Sequence, residues 1–212
     1  MDNCRFGRLT SEIINQCQPY TCSKNADIDS FFHDNTPDNY RDYWLEMMGT
    51  THCFFTDEKD NTTQPKMVCA FSLSNSSLRT DILPNNRRNR LNRSIPNAKR
   101  RFQYPAILIG ELCVFDGFGH KTFGCNIADE MMNLIKTIAI DPDNNSSSRY
   151  LIVDALNSPE VIGYYMRNGF EFLFASDEEE LEHLRGSHSR DIQICKTRLM
   201  FFDLIVLNQQ MH

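Results

Sequence analysis

The chain has 212 residues, 41% of them hydrophobic and 24% charged, and a net charge of −6. That describes an ordinary globular protein with enough chain for one sizeable core. Its longest apolar runs, such as "LMFFDLIVL", are broken by a charge and fall short of a membrane span, and "MDNCRFGRLT" lacks the apolar centre of a secretory signal.

Eight cysteines sit mostly singly inside apolar segments ("HCFF", "MVCAF", "ELCVF"). They read as buried free thiols of a cytoplasmic protein, and no paired spacing suggests zinc or another metal.

In chain order, "DIDSFF" and "TPDNYRDYWLEMMG" read as two short helices. The second has Thr36 as its cap and Pro37 in its first turn. Tyr40, Trp44, Met47 and Met48 form an apolar stripe expected to face a core, and Gly49 ends the helix. "THCFFT" and "KMVCAFSLS", joined by the polar "DEKDNTTQP", read as an antiparallel strand pair.

From Arg87 to Arg101, "RRNRLNRSIPNAKRR" holds seven basic residues and no acidic one. It reads as a solvated basic loop or as a surface for an anionic partner such as RNA. Arg87, Arg88, Arg90 and Arg93 are its candidate contacts.

"AILIGELCVF" is nearly continuously apolar, as a central strand requires. "GCNIADEMMNLIKTIAI" then changes period: Ile127, Met131, Leu134, Ile135 and Ile138 share one face of an amphipathic helix, which "DPDNNSSSR" ends. "YLIVDAL" is a second buried strand. Ser158 and Pro159 open another helix, and Asn168 and Gly169 close it. "FEFLFA" reads as a strand, "SDEEELEHL" as an acidic loop and "TRLMFFDLIVL" as the last strand. The order describes a single-domain α/β protein with a mixed sheet whose centre can be parallel. Between the first of these strands and its helix lies "FDGFGHKTFGCN", a glycine-containing turn. The first amides of the helix that follows lack intrahelical partners and suit an anion.

The segment "YLIVDALNSPEVIGYYMRNGFEFL" resembles the acetyl-CoA-binding core of the GNAT N-acetyltransferases. Tyr164, Tyr165, Met166, Arg167, Asn168, Gly169 and Phe170 match that family's (Phe/Tyr)-Tyr-x-x-x-Gly-Phe segment in full, and "VDALN" matches its strand end. The resemblance covers roughly residues 105 to 206. More loosely, "CSKNADIDSFF", "LPNNRRNRLNRSIPNAKRR" and "YPAILIGELCV" look like a bacterial subgroup that includes toxins acetylating aminoacyl-tRNA. It implies a mixed twisted sheet with helices on both faces, and acetyl-CoA as co-substrate.

The implied sites follow residue by residue. The family's pyrophosphate loop reads (Arg or Gln)-x-x-Gly-x-(Gly or Ala). Here Gly119 stands at the cationic position, Thr122 at the first required glycine and Gly124 at the last small position. The threonine adds a Cβ where backbone approaches phosphate, while His120 or Lys121 can replace the lost cation. With Phe123 and Cys125 these residues form the expected pyrophosphate site. Leu112, Cys113 and Val114 would bond the pantetheine arm through their backbone, and Asn157 stands at the CoA-contacting position.

Tyr165 would protonate the leaving thiolate and Tyr164 would pack. Glu111 is a candidate base for the amine, needed only if that amine is not already neutral. The acceptor is open among small-molecule amines, protein amines and aminoacyl-tRNA, and a homodimer is open too. The rival reading is a non-catalytic module that senses acyl-CoA or binds RNA.

Overall fold

The structure, a computed structural model, describes residues 4–34, 36–56, 64–93, 95, 101–118, 124–144, 147–187 and 191–208. Among the described residues seven strands form one sheet in the order β1-β2-β3-β4-β5-β7-β6. They are β1 (Cys4–Arg8), β2 (Thr50–Thr56), β3 (Met67–Arg79), β4 (Gln103–Val114), β5 (Tyr150–Leu156), β6 (Glu171–Phe172) and β7 (Thr197–Asp203). The pairs β1–β2, β2–β3, β5–β7 and β6–β7 are antiparallel. The α/β class expected from the sequence is borne out. The chain divides into two compact units, Met1–Asn75 with Ile109–Ile135, and Ser76–Leu108 with Lys136–His212.

In the first unit, three short helices α1 (Ser11–Gln16), α2 (Ala26–Phe31) and α3 (Tyr40–Leu45) each start on a side-chain cap. Thr10, Asn25 and Asn39 accept the first free amides, which satisfies donors that have no partner inside the helix. α1 and α2 bring Ile13, Ile14 and Ile28 onto a core of Phe32, Tyr40, Cys53, Met67, Ala70, Cys113 and Phe115. Neither β1 nor α1 was expected from the sequence.

The third helix corrects two expectations. Its cap is Asn39, because the Thr36 hydroxyl donates instead to the Ser30 carbonyl at 2.6 Å and ties the preceding loop back to α2. Of the expected core stripe only Tyr40 is buried; Trp44 is 44% and Met47 86% exposed, and Met48 is exposed as well. Met47 adopts a left-handed backbone (φ 60), which turns the chain out of the helix before Gly49. Gly49 then enters a tight space, where a Cβ would stand 2.7 Å from the Leu73 carbonyl oxygen.

The second unit contains α4 (Asn85–Asn92), α6 (Pro159–Arg167), α7 (Asp177–Ser187) and α8 (Ile205–Asn208); α5 (Ile127–Ile140) begins in the first unit and ends in the second. Leu78, Leu83, Tyr104, Ala106, Tyr150, Ile152, Leu173, Phe174 and Phe201 form the second unit's core. The basic segment is thus helical over part of its length.

The acidic stretch is a helix, not a loop. The Ser176 hydroxyl accepts the Glu179 N–H at 3.3 Å, and the Glu179 carboxylate reaches back to the Ala175 N–H at 3.0 Å, a variant of the capping box. The expected strand "FEFLFA" pairs in register only over Glu171–Phe172, with one further bond from the Leu173 N–H to the Leu199 carbonyl at 2.8 Å, and Arg87 takes the carbonyls of Phe172 and Leu173. The last strand ends at Asp203, whose carboxylate accepts the Ile205 N–H at 3.1 Å and starts α8.

Under these helices lies a buried ion pair. Glu180 is 4% and Arg198 5% exposed. The Arg198 Nε–H donates to Glu180 Oε2 at 2.6 Å, Glu180 Oε1 accepts the Leu199 N–H at 2.6 Å, and Asp177 holds the other side of the guanidinium. Burial pushes the Glu180 carboxyl above its ordinary range, with the Leu199 N–H and Arg198 pulling the other way.

Candidate active site

The end of β4, the turn after it and the start of α5 lie in the first unit. Glu111, Leu112 and Val114 are half-buried and Cys113 is buried. The Cys113 thiol is held well above its ordinary range by burial and by its hydrogen bond with Cys22, so it stays a thiol and packs. All eight cysteines are free. Glu111 is different: burial, then the nearby Asp27 charge, raise its pKa.

Beyond β4, Asp116 anchors the turn. Its carboxylate accepts from the Ser23 hydroxyl and N–H, both at 3.1 Å, and from the Thr21 hydroxyl at 3.3 Å. The Ser23 hydroxyl is the chief reason the Asp116 carboxyl lies below its ordinary range. Nothing in the sequence singled Asp116 out, since its partners lie more than ninety positions away.

Gly119, His120, Lys121, Thr122 and Phe123 lie outside the described residues. Gly124 has a left-handed backbone (φ 66) with nothing among the described residues within 4 Å of where a Cβ would point, and Cys125 is half-buried beside it. The start of α5 that follows is not purely electropositive. Asp129 and Glu130 lie in its first turn, and the Asn126 side-chain amide donates to Asp129 at 2.7 Å.

Asn157 and Tyr165 lie in the second unit. Asn157 is exposed at the end of β5. Its side-chain NH2 donates to the Cys195 carbonyl at 3.0 Å and to Asp177 Oδ2 at 3.2 Å, so both donors are taken and its Oδ1 is left as an acceptor among the described residues.

α6 opens as the sequence implies. Ser158 caps it by accepting the Val161 N–H, and Pro159 stands in the first turn. It closes on Asn168 and on Gly169 (φ 83), with the Phe170 N–H returning to the Tyr165 carbonyl at 3.0 Å. Lys136 completes this end by donating to the Asn168 carbonyl at 2.7 Å while its ammonium lies 4.3 Å from the Phe202 ring centroid.

Tyr165 is 5% exposed, its ring edge-on to Tyr164 (5.1 Å) and to Phe170 (5.3 Å). Tyr164 is half-buried. The ring of Tyr165 thus packs as well as any core residue, and any chemistry belongs to its hydroxyl.

The basic residues separate into two groups. Arg87 is spent on the β6 carbonyls, and Arg90 pairs with Glu171 at 3.1 Å. Arg88 reaches only Asn85, and Arg93 is exposed without a side-chain partner among the described residues. No group of three His, Cys, Asp or Glu among the described residues is arranged to hold a metal ion, and none of the described helices is long and apolar enough to cross a membrane.

Solved structures give a match along the whole chain. AtaT complexed with acetyl-methionyl-tRNAfMet superimposes with a TM-score of 0.62 at 13% identity, covering 99% of this chain and 100% of that one. A tyrosine-to-phenylalanine mutant of KacT gives 0.60 at 13%, covering 98% and 99%. AtaTR bound with AcCoA gives 0.58 at 13%, covering 100% of both. The chain has the GNAT acetyltransferase fold.

No protein-family model matches the sequence, and no curated protein matches it significantly. The likeness therefore lives in the order of strands and helices. Within this GNAT fold, β4 with its turn and α5, and β5 with α6, are the elements to which the sequence motifs had been assigned.

Proposed function

We propose that the whole chain works as one CoA-dependent N-acetyltransferase domain, with an aminoacyl-tRNA amine as the acceptor. The observation that carries this reading is the full-length likeness to AtaT, solved both with acetyl-CoA and with an acetylated aminoacyl-tRNA. The residues fit the co-substrate. Leu112–Val114 end a strand, Gly124 leaves open space where a side chain would block a phosphate, and the free Oδ1 of Asn157 suits an amide N–H.

In this mechanism the acceptor amine attacks the thioester carbonyl carbon. A C–N bond forms, the C–S bond breaks, and the thiolate takes a proton from the Tyr165 hydroxyl. The amine's own proton passes to Glu111, directly or through water. Desolvation and the charge of Asp27 keep that carboxylate more basic than an exposed one. An aminoacyl ester has a less basic amine than lysine, so it reaches its neutral form more readily, and Glu111 takes the proton released as the C–N bond forms. Of the four candidate contacts in the basic segment, Arg88 and Arg93 are the two not drawn to Glu171 or to the Phe172 and Leu173 carbonyls among the described residues, and they suit a phosphate backbone.

The test is release of free CoA thiol from acetyl-CoA, measured against a panel of small amines, a peptide and charged tRNA. Release with charged tRNA supports the reading. Acetyl-CoA binding without release for any amine would replace it with an acyl-CoA-sensing module.

A further inference from the structure

Ser72 lies on β3 with no solvent exposure, in a run where Ala70 and Phe71 are equally buried. A hydroxyl there needs a task, because burying it unpaired is costly. Its partner is β4: the Glu111 N–H donates to Ser72 Oγ at 2.9 Å. A Cβ added to Gly110 would stand 2.5 Å from the same oxygen. Two consecutive β4 residues therefore face one residue of β3.

The ladder on either side agrees. The Phe115 N–H donates to the Val68 carbonyl at 3.0 Å, and the Thr80 N–H to the Phe102 carbonyl at 2.8 Å. From Val68 to Thr80 is twelve steps along β3, whereas from Phe102 to Phe115 is thirteen along β4. One extra residue in β4 is a β-bulge, and the contacts put it at Gly110–Glu111. Side chains alternate with period two, so one inserted residue reverses the facing of everything after it. The facing of Glu111 and of Leu112–Val114 is thus set at this point.

We propose that Ser72 is a positioning residue: its hydroxyl pins the β4 bulge and so aims the Glu111 carboxylate at the acceptor amine. This rests on the acetyl-transfer reading above. Gly110 is part of the device, since its lack of a side chain lets the Ser72 hydroxyl reach the Glu111 amide. Its backbone is outside the left-handed region, so the contact alone demands glycine there. The Glu111 carboxylate has no hydrogen-bond or ion-pair partner among the described residues, and Asp27 of α2 is the charged group that acts on it.

Two variants perturb the pin independently. Ser72→Ala removes the acceptor, and Gly110→Ala displaces it. Each is expected to lower kcat by about 10–10²-fold, the cost of a misplaced group, with the KM for acetyl-CoA little changed. In a Glu111→Gln background neither should cost more, because the group being aimed is already gone.

A second readout needs no activity: the carboxyl 13C shift of Glu111, titrated by NMR, should report a lower pKa in either variant than in the wild type. If the wild type transfers no acetyl group, the acetyl-transfer reading fails and this titration alone still decides whether Ser72 sets the environment of Glu111. An unchanged Glu111 titration, or a full loss of kcat from Ser72→Ala in the Glu111→Gln background, overturns the proposal.

Discussion

Replacing Glu180 by alanine leaves the Arg198 guanidinium, 5% exposed in the wild type, with Asp177 as its remaining carboxylate and the Phe172 ring against it. Two interactions are lost together, the 2.6 Å bond from Arg198 Nε–H and the 2.6 Å bond from the Leu199 N–H. Breaking a buried pair by deleting one partner costs about 3–5 kcal/mol. Because Asp177 still neutralises one side, the lower end applies, about 3 kcal/mol. At roughly 2–4 °C per kcal/mol for a domain this long, Tm should fall by about 6–12 °C.

Urea and thermal unfolding followed by circular dichroism measure both quantities. Arg90→Ala is the matched control: its pair with Glu171 is mostly solvent-exposed on both sides, and losing it should cost under about 1 kcal/mol. A loss below about 1 kcal/mol at Glu180 would mean that water already reaches the pair, and the burial argument would be wrong.

Three further outcomes follow from the site. Tyr165→Phe should leave acetyl-CoA affinity nearly unchanged and lower turnover by about 10²–10⁴-fold, while Tyr164→Phe should cost almost nothing; steady-state kinetics with equal losses at both would remove Tyr165 from the acid role. Glu111 has a folded pKa raised by burial and then by Asp27, so its contribution to stability is full below its unfolded pKa of about 4.3 and is lost as pH rises through the folded value. Glu111→Gln should therefore gain on the wild type as pH rises from about 4.3 through the raised folded value in urea unfolding, and a constant difference would contradict the shift. Arg88→Glu with Arg93→Glu should weaken tRNA binding and flatten its salt dependence while sparing acetyl-CoA; an unchanged salt slope would take those residues out of the interface.

What could be read from the sequence was what local rules govern. Ser158, Pro159 and Gly169 bound α6 because caps and a left-handed residue act within a few positions. Ile127, Met131 and Ile135 are buried because a helical period fixes one face. The acidic helix α7 was read as a loop: Ser176 and Glu179, three residues apart, carry its cap, but the run of charge concealed it.

Other features depend on distant partners. Arg87 looked like a free cation because the carbonyls that hold it, at Phe172 and Leu173, lie some 85 positions away. The exposure of Met47 follows from a left-handed backbone that its side chain does not announce. Likewise, the role of Gly110 emerges only when Ser72 is brought opposite it. Asn157 was placed by resemblance, but that its amide donors are taken and its Oδ1 left as an acceptor comes from Asp177 and the Cys195 carbonyl.

The central claim is that an acetyl group leaves acetyl-CoA for an amine on this chain. Its most direct test is transfer of labelled acetyl from acetyl-CoA to charged tRNA, with uncharged tRNA as the blank. The account predicts label on the α-amino group of the charged species, and its near loss with Tyr165→Phe. Bound acetyl-CoA with no label on charged tRNA or on any other amine would contradict it.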